Sequence, residues 1–184
     1  MCIRDSNLSA CFTAYKNLVD AENSLEEGTA PSGFAVTGKV LALANTSGKV
    51  AGDKFTVIGC NVIINGETVA TTGQDGTFTI PSLAAGKYTA TLSYQYGFDR
   101  NITIEVKDGN VNLGSFGMVA CNFNKDAKID GTDANVYKKS SGKRSTATGY
   151  NAACDFNHDG SVDDTDANIY KAFSGRTLTN AIYG

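Results

Sequence analysis

Twelve residues decide how the C-terminal part of the chain folds: Asp155-Phe156-Asn157-His158-Asp159-Gly160-Ser161-Val162-Asp163-Asp164-Thr165-Asp166. They fit the pattern D-x-[DN]-x-[DN]-G-x-[IVL]-x-x-x-[DE]. A loop that wraps a calcium ion supplies about six to eight hard oxygens from alternating positions in this way. Its central glycine takes the positive φ of a sharp turn, and the aliphatic residue packs into the core. The stretch therefore predicts a calcium-binding loop that leads directly into a helix.

The same pattern occurs a second time, at an offset of 33 residues. Ala120–Lys143 aligns without gaps on Ala153–Arg176, and 14 of the 24 aligned positions are identical. Chance would give about one or two identities in such a comparison. Each copy is a loop followed by the same Ala-Asn-[Val/Ile]-Tyr-Lys helix. Two such units in tandem argue against the alternative, an Asp/Asn-rich turn that holds no metal.

The predicted calcium ligands are side-chain oxygens, one main-chain carbonyl and one water-mediated carboxylate in each loop, so we expect two ions. In the second loop they are Asp155, Asn157, Asp159, Ser161 (carbonyl), Asp163 (through a water) and Asp166 (both oxygens). In the first loop they are Asn122, Asn124, Asp126, Lys128 (carbonyl), Asp130 and Asp133.

We expect the first loop to bind calcium more weakly than the second. Asn122 puts a neutral ligand where the second loop has Asp155, and Ala127 replaces the turn glycine. A non-glycine residue in the left-handed region costs on the order of 1 kcal/mol.

Residues 34–118 have a different pattern, with short alternating runs and turn signals about every eight to twelve positions. Asn65-Gly66 is a strong hairpin turn because both residues tolerate positive φ. Strands are predicted over Phe34–Leu43, Lys54–Ile64, Glu67–Thr72, Thr77–Ile80, Lys87–Tyr94, Arg100–Val106 and Val111–Met118. So many short strands with one apolar face predict a small antiparallel β-sandwich.

Two family resemblances follow from these motifs. The run Asp75–Tyr88, DGTFTIPSLAAGKY, resembles the carboxypeptidase-regulatory-like (transthyretin-like) β-sandwich family, whose pattern is D-G-x-F-x-[IV]-x-x-L-x-x-G-x-Y. That family includes X-modules, which sit against a neighbouring recognition domain. The duplicated loop–helix unit resembles a type I dockerin, an EF-hand-like module without entering helices. Gly117–Cys121 leaves no room for such a helix, and the loops end in Asp133 and Asp166 rather than Glu.

The dockerin resemblance implies a cohesin as partner, on the scaffold of an extracellular polysaccharide-degrading complex, the cellulosome. It also implies which residues meet the partner: those just before the last loop ligand and those on the exposed side of the following helix. Carried over, they are Gly131, Thr132, Tyr137, Lys138 and Lys139 in the first repeat, and Asp164, Thr165, Tyr170, Lys171 and Ala172 in the second. The alternative for each tyrosine is packing inside the domain. One or two binding orientations are both compatible with the near-symmetry of the repeats.

Composition excludes several classes of function. The net charge of −3 gives no basic footprint for nucleic acid, and no apolar run approaches the roughly 20 residues of a membrane span. The single histidine, His158, is at a non-ligating loop position and is expected to face solvent. No GxSxG, P-loop or HExxH signature is present, so we expect no catalysis in this chain.

Two other functions stay open on the sequence. One is carbohydrate binding by the sandwich, through a platform of Tyr88, Tyr94, Tyr96 and Phe98. The other is a calcium-rigidified stalk or adhesin module that has no cohesin partner. A disulfide between Cys121 and Cys154, at equivalent positions of the repeat, and two semi-buried thiols are likewise both open.

The sequence thus predicts two small domains, an antiparallel β-sandwich (34–118) followed by an all-α, EF-hand-like dockerin (119–184). Residues 7–33 predict a residual helix and linker, and residues 1–6 read as the translation of a sequencing-adapter end. We therefore expect the chain to be the C-terminal part of a longer polysaccharide-degrading enzyme or adhesin. We expect this part to be noncatalytic, extracellular and monomeric.

Overall fold

The computed structural model describes residues 33–177 of the chain. The predictions for residues 1–6 and for the helix and linker fall outside this range, apart from Gly33. Two parts are distinguished below: the sandwich, residues 34–118, and the loop–helix part, residues 119–177.

The sandwich contains seven strands close to the predicted positions. They are β1 (Phe34–Ala42), β2 (Asn61–Ile64), β3 (Glu67–Thr71), β4 (Thr77–Leu83), β5 (Gly86–Ser93), β6 (Arg100–Val106) and β7 (Val111–Met118). The run predicted over Lys54–Ile64 is a strand only from Asn61 onward. Before that point the chain follows β1 irregularly, with Ala42 N–H donating to the Phe55 carbonyl (2.7 Å).

The strands form two sheets, in the orders β4-β1-β7 and β3-β2-β5-β6. β1 is antiparallel to β4, and all neighbours in the second sheet are antiparallel. β1 and β7 run parallel, with β2 to β6 between them along the chain. The antiparallel sandwich is confirmed, with this parallel pair as an addition.

Alternation of polar and apolar residues places the core between the sheets. Along β5, Ala90 and Leu92 are fully buried, and along β6, Ile102, Ile104 and Val106 face inward. The predicted hairpin turn is present, with φ values of 52° at Asn65 and 84° at Gly66.

The loop–helix part contains α1 (Gly131–Ser140), α2 (Asp164–Phe173) and a 3-10 turn (Ala152–Cys154). Within the described chain no helix precedes the first loop, because β7 leads through the buried residues Val119–Cys121 to Asn122. None of the helices that the structure describes is long and apolar enough to cross a membrane.

The buried apolar side chains of both parts form one continuous cluster. Met118, Val119, Ala120 and Cys121 carry this core from the sandwich into the first loop, each at most 4% exposed. The first loop is therefore attached to the sandwich by a short, buried connection.

Candidate metal-binding loops

The carboxylate of Asp155 organises the second loop. It is 2% exposed, and its Oδ2 accepts hydrogen bonds from the Gly160 amide (2.8 Å) and the Tyr150 hydroxyl (2.7 Å). Gly160 has the predicted positive φ, 86°, which turns its amide back toward Asp155. The alternating oxygens thus shape the loop by accepting amides from residues farther along it.

The last residue of each loop is a fully buried aspartate in the first turn of a helix. The Asp166 oxygens accept hydrogen bonds from the amides of Phe156 (2.7 Å) and Asp163 (3.0 Å). Asp133 repeats this arrangement with the amides of Phe123 (2.6 Å) and Asp130 (2.8 Å). A carboxylate offers about four lone pairs, so these bonds leave lone pairs free for a cation.

Asp130 and Asp163 serve as helix N-caps. Each accepts the amide of the residue two positions later, Thr132 or Thr165, at 2.8 Å. With Asp133 and Asp166 as third helical residues, each helix starts with a complete capping box. The same side chains that are predicted to bind metal therefore also fix where each helix begins.

The first loop differs from the second at the two predicted positions. Asn122 is fully buried, its Nδ2 donates to the Asp126 carbonyl (2.5 Å), and its Oδ1 has no hydrogen-bond partner. Ala127 is not among the described residues with positive φ. The expected left-handed strain at Ala127 is therefore wrong: the Asn122 amide group holds the turn here, and the Ala127 backbone avoids the strained conformation.

The residues fit a calcium ion. An unpaired buried amide oxygen costs roughly 1–3 kcal/mol unless something satisfies it, and Asn122 Oδ1 is such an atom. Burial also raises the pKa of Asp166, as expected for a carboxylate away from water and from cations. The ion pairs formed among residues 33–177 leave Asp133, Asp155 and Asp166 out.

The donor set consists of hard oxygens, which calcium prefers. In residues 33–177 no three or more His, Cys, Asp and Glu side chains are gathered closely enough to form a metal group by themselves. A site here depends also on amide side chains such as Asn122 and Asn157, and on the carbonyls of Lys128 and Ser161.

Each loop is closed by residues that follow the other repeat's helix. Ile129 in the first loop accepts from the Gly175 amide (2.7 Å) and donates to the Arg176 carbonyl (2.8 Å). Val162 in the second loop pairs in the same way with Gly142 (2.8 Å) and Lys143 (2.9 Å). The two repeats therefore depend on each other for their loop geometry.

Tyr137 and Tyr170 lie in the centre of the loop–helix part. Their rings stack at 4.9 Å between centroids with 7° between planes, and they are 6% and 8% exposed. Each hydroxyl donates to the N-cap carbonyl of the other repeat, Tyr137 to Asp163 (3.2 Å) and Tyr170 to Asp130 (3.4 Å). Such buried rings offer little surface to a partner, so the structure has the alternative arrangement, with both tyrosines packed inside.

The other residues carried over as partner contacts are accessible. Exposed side chains or backbone are found at Gly131, Thr132, Lys138, Lys139, Asp164, Thr165 and Lys171, and Ala172 is half-buried.

The fourth residue of each loop contacts the sandwich, which the sequence did not predict. His158 is exposed, as expected, but its Nε2 lies 2.9 Å from the Thr56 carbonyl of the sandwich. Lys125, at the equivalent position, also reaches the sandwich. No local pattern indicates these contacts, because they join residues as much as 102 positions apart.

Three of the four aromatic residues predicted to form a carbohydrate platform take part in internal packing. Phe98 is 3% exposed. Tyr94 and Tyr96 meet edge to face at 86°, and Tyr96 also packs against Phe123 of the first loop. These rings therefore contribute to internal packing.

Cys121 and Cys154 are both fully buried free thiols, so the disulfide alternative is not the arrangement found. Burial raises the pKa of Cys154 to about 12, and that of Cys60 in the sandwich also to about 12.

Solved structures similar to this chain include two from one complex. They are an N-terminal and a C-terminal interface mutant of the type II cohesin–X-dockerin complex from Acetivibrio cellulolyticus. Both are 24% identical and cover 80% of this chain and 99% of the matched chain, with TM-scores of 0.59 and 0.60. The chain thus has the fold of an X-module followed by a dockerin.

None of the curated proteins matches this chain. The model of the dockerin type I domain matches residues 123–173, which contain nearly all of both loops and both helices. This family is a noncatalytic docking module. Residues 123–173 of the chain are therefore similar to dockerin type I domains.

Proposed function

We propose that this chain is a docking region that binds two calcium ions and attaches its parent protein to a cohesin on an extracellular scaffold. In this proposal residues 34–118 are an X-module and residues 119–184 are the dockerin. The parent protein is a polysaccharide-degrading enzyme or an adhesin. The region acts as a monomer and has no catalytic role.

One observation supports the calcium proposal: buried oxygens occupy the first and last ligand positions of both loops and form no ion pair within residues 33–177. They include the unpaired Asn122 Oδ1 and the carboxylates of Asp133, Asp155 and Asp166. A bound calcium ion supplies the positive charge that offsets these groups. The second loop, whose first ligand is the carboxylate of Asp155 rather than an amide, is proposed to bind more tightly.

The chain's own residues link the loops to the docking surface. Asp130 and Asp163 cap the helices, and Asp133 and Asp166 tie each helix start to the first residues of its loop. Correctly closed loops therefore hold the two helices in their mutual orientation. This presents Lys138, Lys139 and Lys171 on the surface, where they favour an acidic partner face.

Calcium binding is tested by calorimetry and amide NMR on the full chain, with EDTA as the reference state. Two binding events are expected, the tighter one lost in Asp155→Ala and the weaker one in Asp126→Ala. The absence of binding heat, with an unchanged spectrum, would contradict calcium binding and the docking mechanism built on it.

Cohesin binding is tested by capture on immobilised type I and type II cohesins, with and without EDTA. Calcium-dependent capture is expected, weakened by the double change Lys138→Glu/Lys139→Glu. Calcium binding without any capture would favour a calcium-rigidified stalk instead.

A further inference from the structure

The fourth residue of each loop has the same uncommon backbone conformation. Lys125 and His158 have φ values of 59° and 57°, and together with Asn65 they are the non-glycine residues with positive φ in the described chain. Such a conformation is sterically unfavourable for residues with a Cβ, so surrounding contacts must maintain it. In both loops the side chain of this residue contacts the sandwich.

Lys125 is held by three oxygens of the sandwich. Its Nζ donates to the carbonyls of Tyr94 (2.6 Å) and Gly97 (3.0 Å) and to Asp99 Oδ1 (2.6 Å). An ammonium group has three protons to donate, so its capacity is fully used. Asp99 is in turn fixed by the Ser93 hydroxyl at 2.8 Å.

Two neighbours of Lys125 strengthen the attachment of the first loop. The backbone N–H of Asn122 donates to the Tyr96 carbonyl at 2.8 Å. The Phe123 ring packs against Tyr96, with 6.2 Å between centroids. The first, second and fourth residues of this loop therefore all contact the segment that follows β5.

The second loop is attached more simply. The His158 Nε2 and the Thr56 carbonyl are 2.9 Å apart. Thr56 is itself anchored, since its hydroxyl donates to the Gln74 carbonyl (3.1 Å). The equivalent residues of the two repeats thus bind different parts of the sandwich, with unequal numbers of bonds.

We propose that Lys125 and His158 are positioning residues that couple calcium affinity to the docking of the sandwich against the loops. The inference rests on the proposed calcium function and extends it to regulation of the same sites. Each contact holds its loop in the binding conformation before metal arrives, which lowers the conformational cost of binding. Coupling is reciprocal, so a loaded loop also holds the sandwich more firmly.

The unequal contacts have a direct consequence for the two sites. The first loop lacks the charged first ligand, yet it has the stronger attachment to the sandwich. The sandwich therefore compensates for a weak ligand set at the first loop, while the second loop depends mainly on its own residues. Disrupting the attachment is expected to affect the first site more.

The test is a calcium titration of the full chain and of Lys125→Met, followed by calorimetry and by the amide signals of Ala127 and Gly160, which report on the two loops separately. In Lys125→Met we expect the affinity of the first loop to fall by about fivefold and that of the second by less than twofold. Coulomb's law alone predicts the opposite sign, since removing a cation beside a calcium site should strengthen binding. Lys87→Met, an exposed lysine on β5, controls for net charge.

Three further variants separate positioning from loss of fold. Lys125→Arg keeps a cation for Asp99 and should restore most of the affinity. Asp99→Asn alters only the sandwich side, and combining it with Lys125→Met should weaken binding less than the sum of the two single effects. His158→Ala should lower the affinity of the second loop by about twofold, and that of the first loop less.

Hydrogen exchange of the wild-type chain tests the reciprocal effect. The amides of Gly97 and Asn122, which bond to the Tyr94 and Tyr96 carbonyls, should exchange faster in EDTA than in calcium. Amides of the distant Asn65-Gly66 hairpin should not change.

An unchanged or stronger first site in Lys125→Met would overturn the coupling while two-site calcium binding, and with it the proposed function, stands. So would equal losses at both sites in that variant. Failure of the wild-type chain to bind calcium would overturn both proposals together.

Discussion

At the scale of single residues, the two loops reach similar shapes by different chemistry. In the second loop a carboxylate at Asp155 accepts the Gly160 amide (2.8 Å). In the first loop Asn122 instead donates from Nδ2 to the Asp126 carbonyl. Exchanging an aspartate for an asparagine thus changes an acceptor into a donor, which leaves Oδ1 free and allows Ala127 to avoid a positive φ.

This difference predicts that exchanging glycine and alanine at the turn changes calcium affinity unequally in the two loops. Gly160→Ala places a Cβ at a φ of 86°, which costs about 1 kcal/mol, so the calcium affinity of the second loop should fall by about fivefold. Ala127→Gly is the matched control, expected to change the affinity of the first loop by less than twofold. Calorimetry measures both, and a large gain from Ala127→Gly would mean that this turn becomes left-handed when metal binds.

At the scale of elements, the helices are joined crosswise. Each loop is bridged to the residues that follow the other helix, and each buried tyrosine hydroxyl reaches the other helix's N-cap carbonyl. Stacking against each other explains why a tyrosine stands at the same position of both repeats, and no partner contact is needed for this. Neither loop–helix unit therefore has a complete set of contacts alone.

The crosswise bridges predict that a truncation after the second helix weakens calcium binding at the first loop. A stop after Ser174 removes Gly175 and Arg176, whose backbone bonds close on Ile129 of the first loop. Calcium affinity should therefore fall more at the first loop than at the second, although the second is nearer in sequence. A stop after Thr177 keeps these bonds and serves as the control, with two-site calorimetry as the measurement. A loss confined to the second loop would contradict the crosswise arrangement.

At the scale of the whole molecule, the sandwich and the loop–helix part share one core but differ in how they are stabilised. The sandwich buries the alternating faces of two sheets, as at Ala90 and Leu92. The loop–helix part encloses several carboxylates, whose burial is unfavourable without a counterion. Removing calcium should therefore lower the stability of the loop–helix part far more than that of the sandwich.

Thiol labelling separates the two parts. In calcium, the fully buried Cys60, Cys121 and Cys154 should all resist alkylation in the native protein. In EDTA, Cys121 and Cys154 should become reactive, while Cys60, packed against Met118 Sδ at 3.5 Å, stays protected. Mass spectrometry of the labelled peptides follows each thiol over time, with urea-unfolded protein as the fully reactive reference. Equal rates for all three in EDTA would show that both parts open as one unit.

Features that depend on local spacing could be predicted from the sequence. The loop pattern, the repeat, the hairpin at Asn65-Gly66 and most strand bounds follow from turn chemistry and from the alternation of polar and apolar residues, which act over a few positions. Three features became visible only in the folded chain: the parallel pairing of β1 and β7, the burial of Tyr137 and Tyr170, and the attachment of Lys125 and His158 to the sandwich. Each of these joins residues far apart in the chain, so no local pattern encodes it. The conformation of Ala127 belongs with them, because it depends on which way the buried Asn122 amide faces.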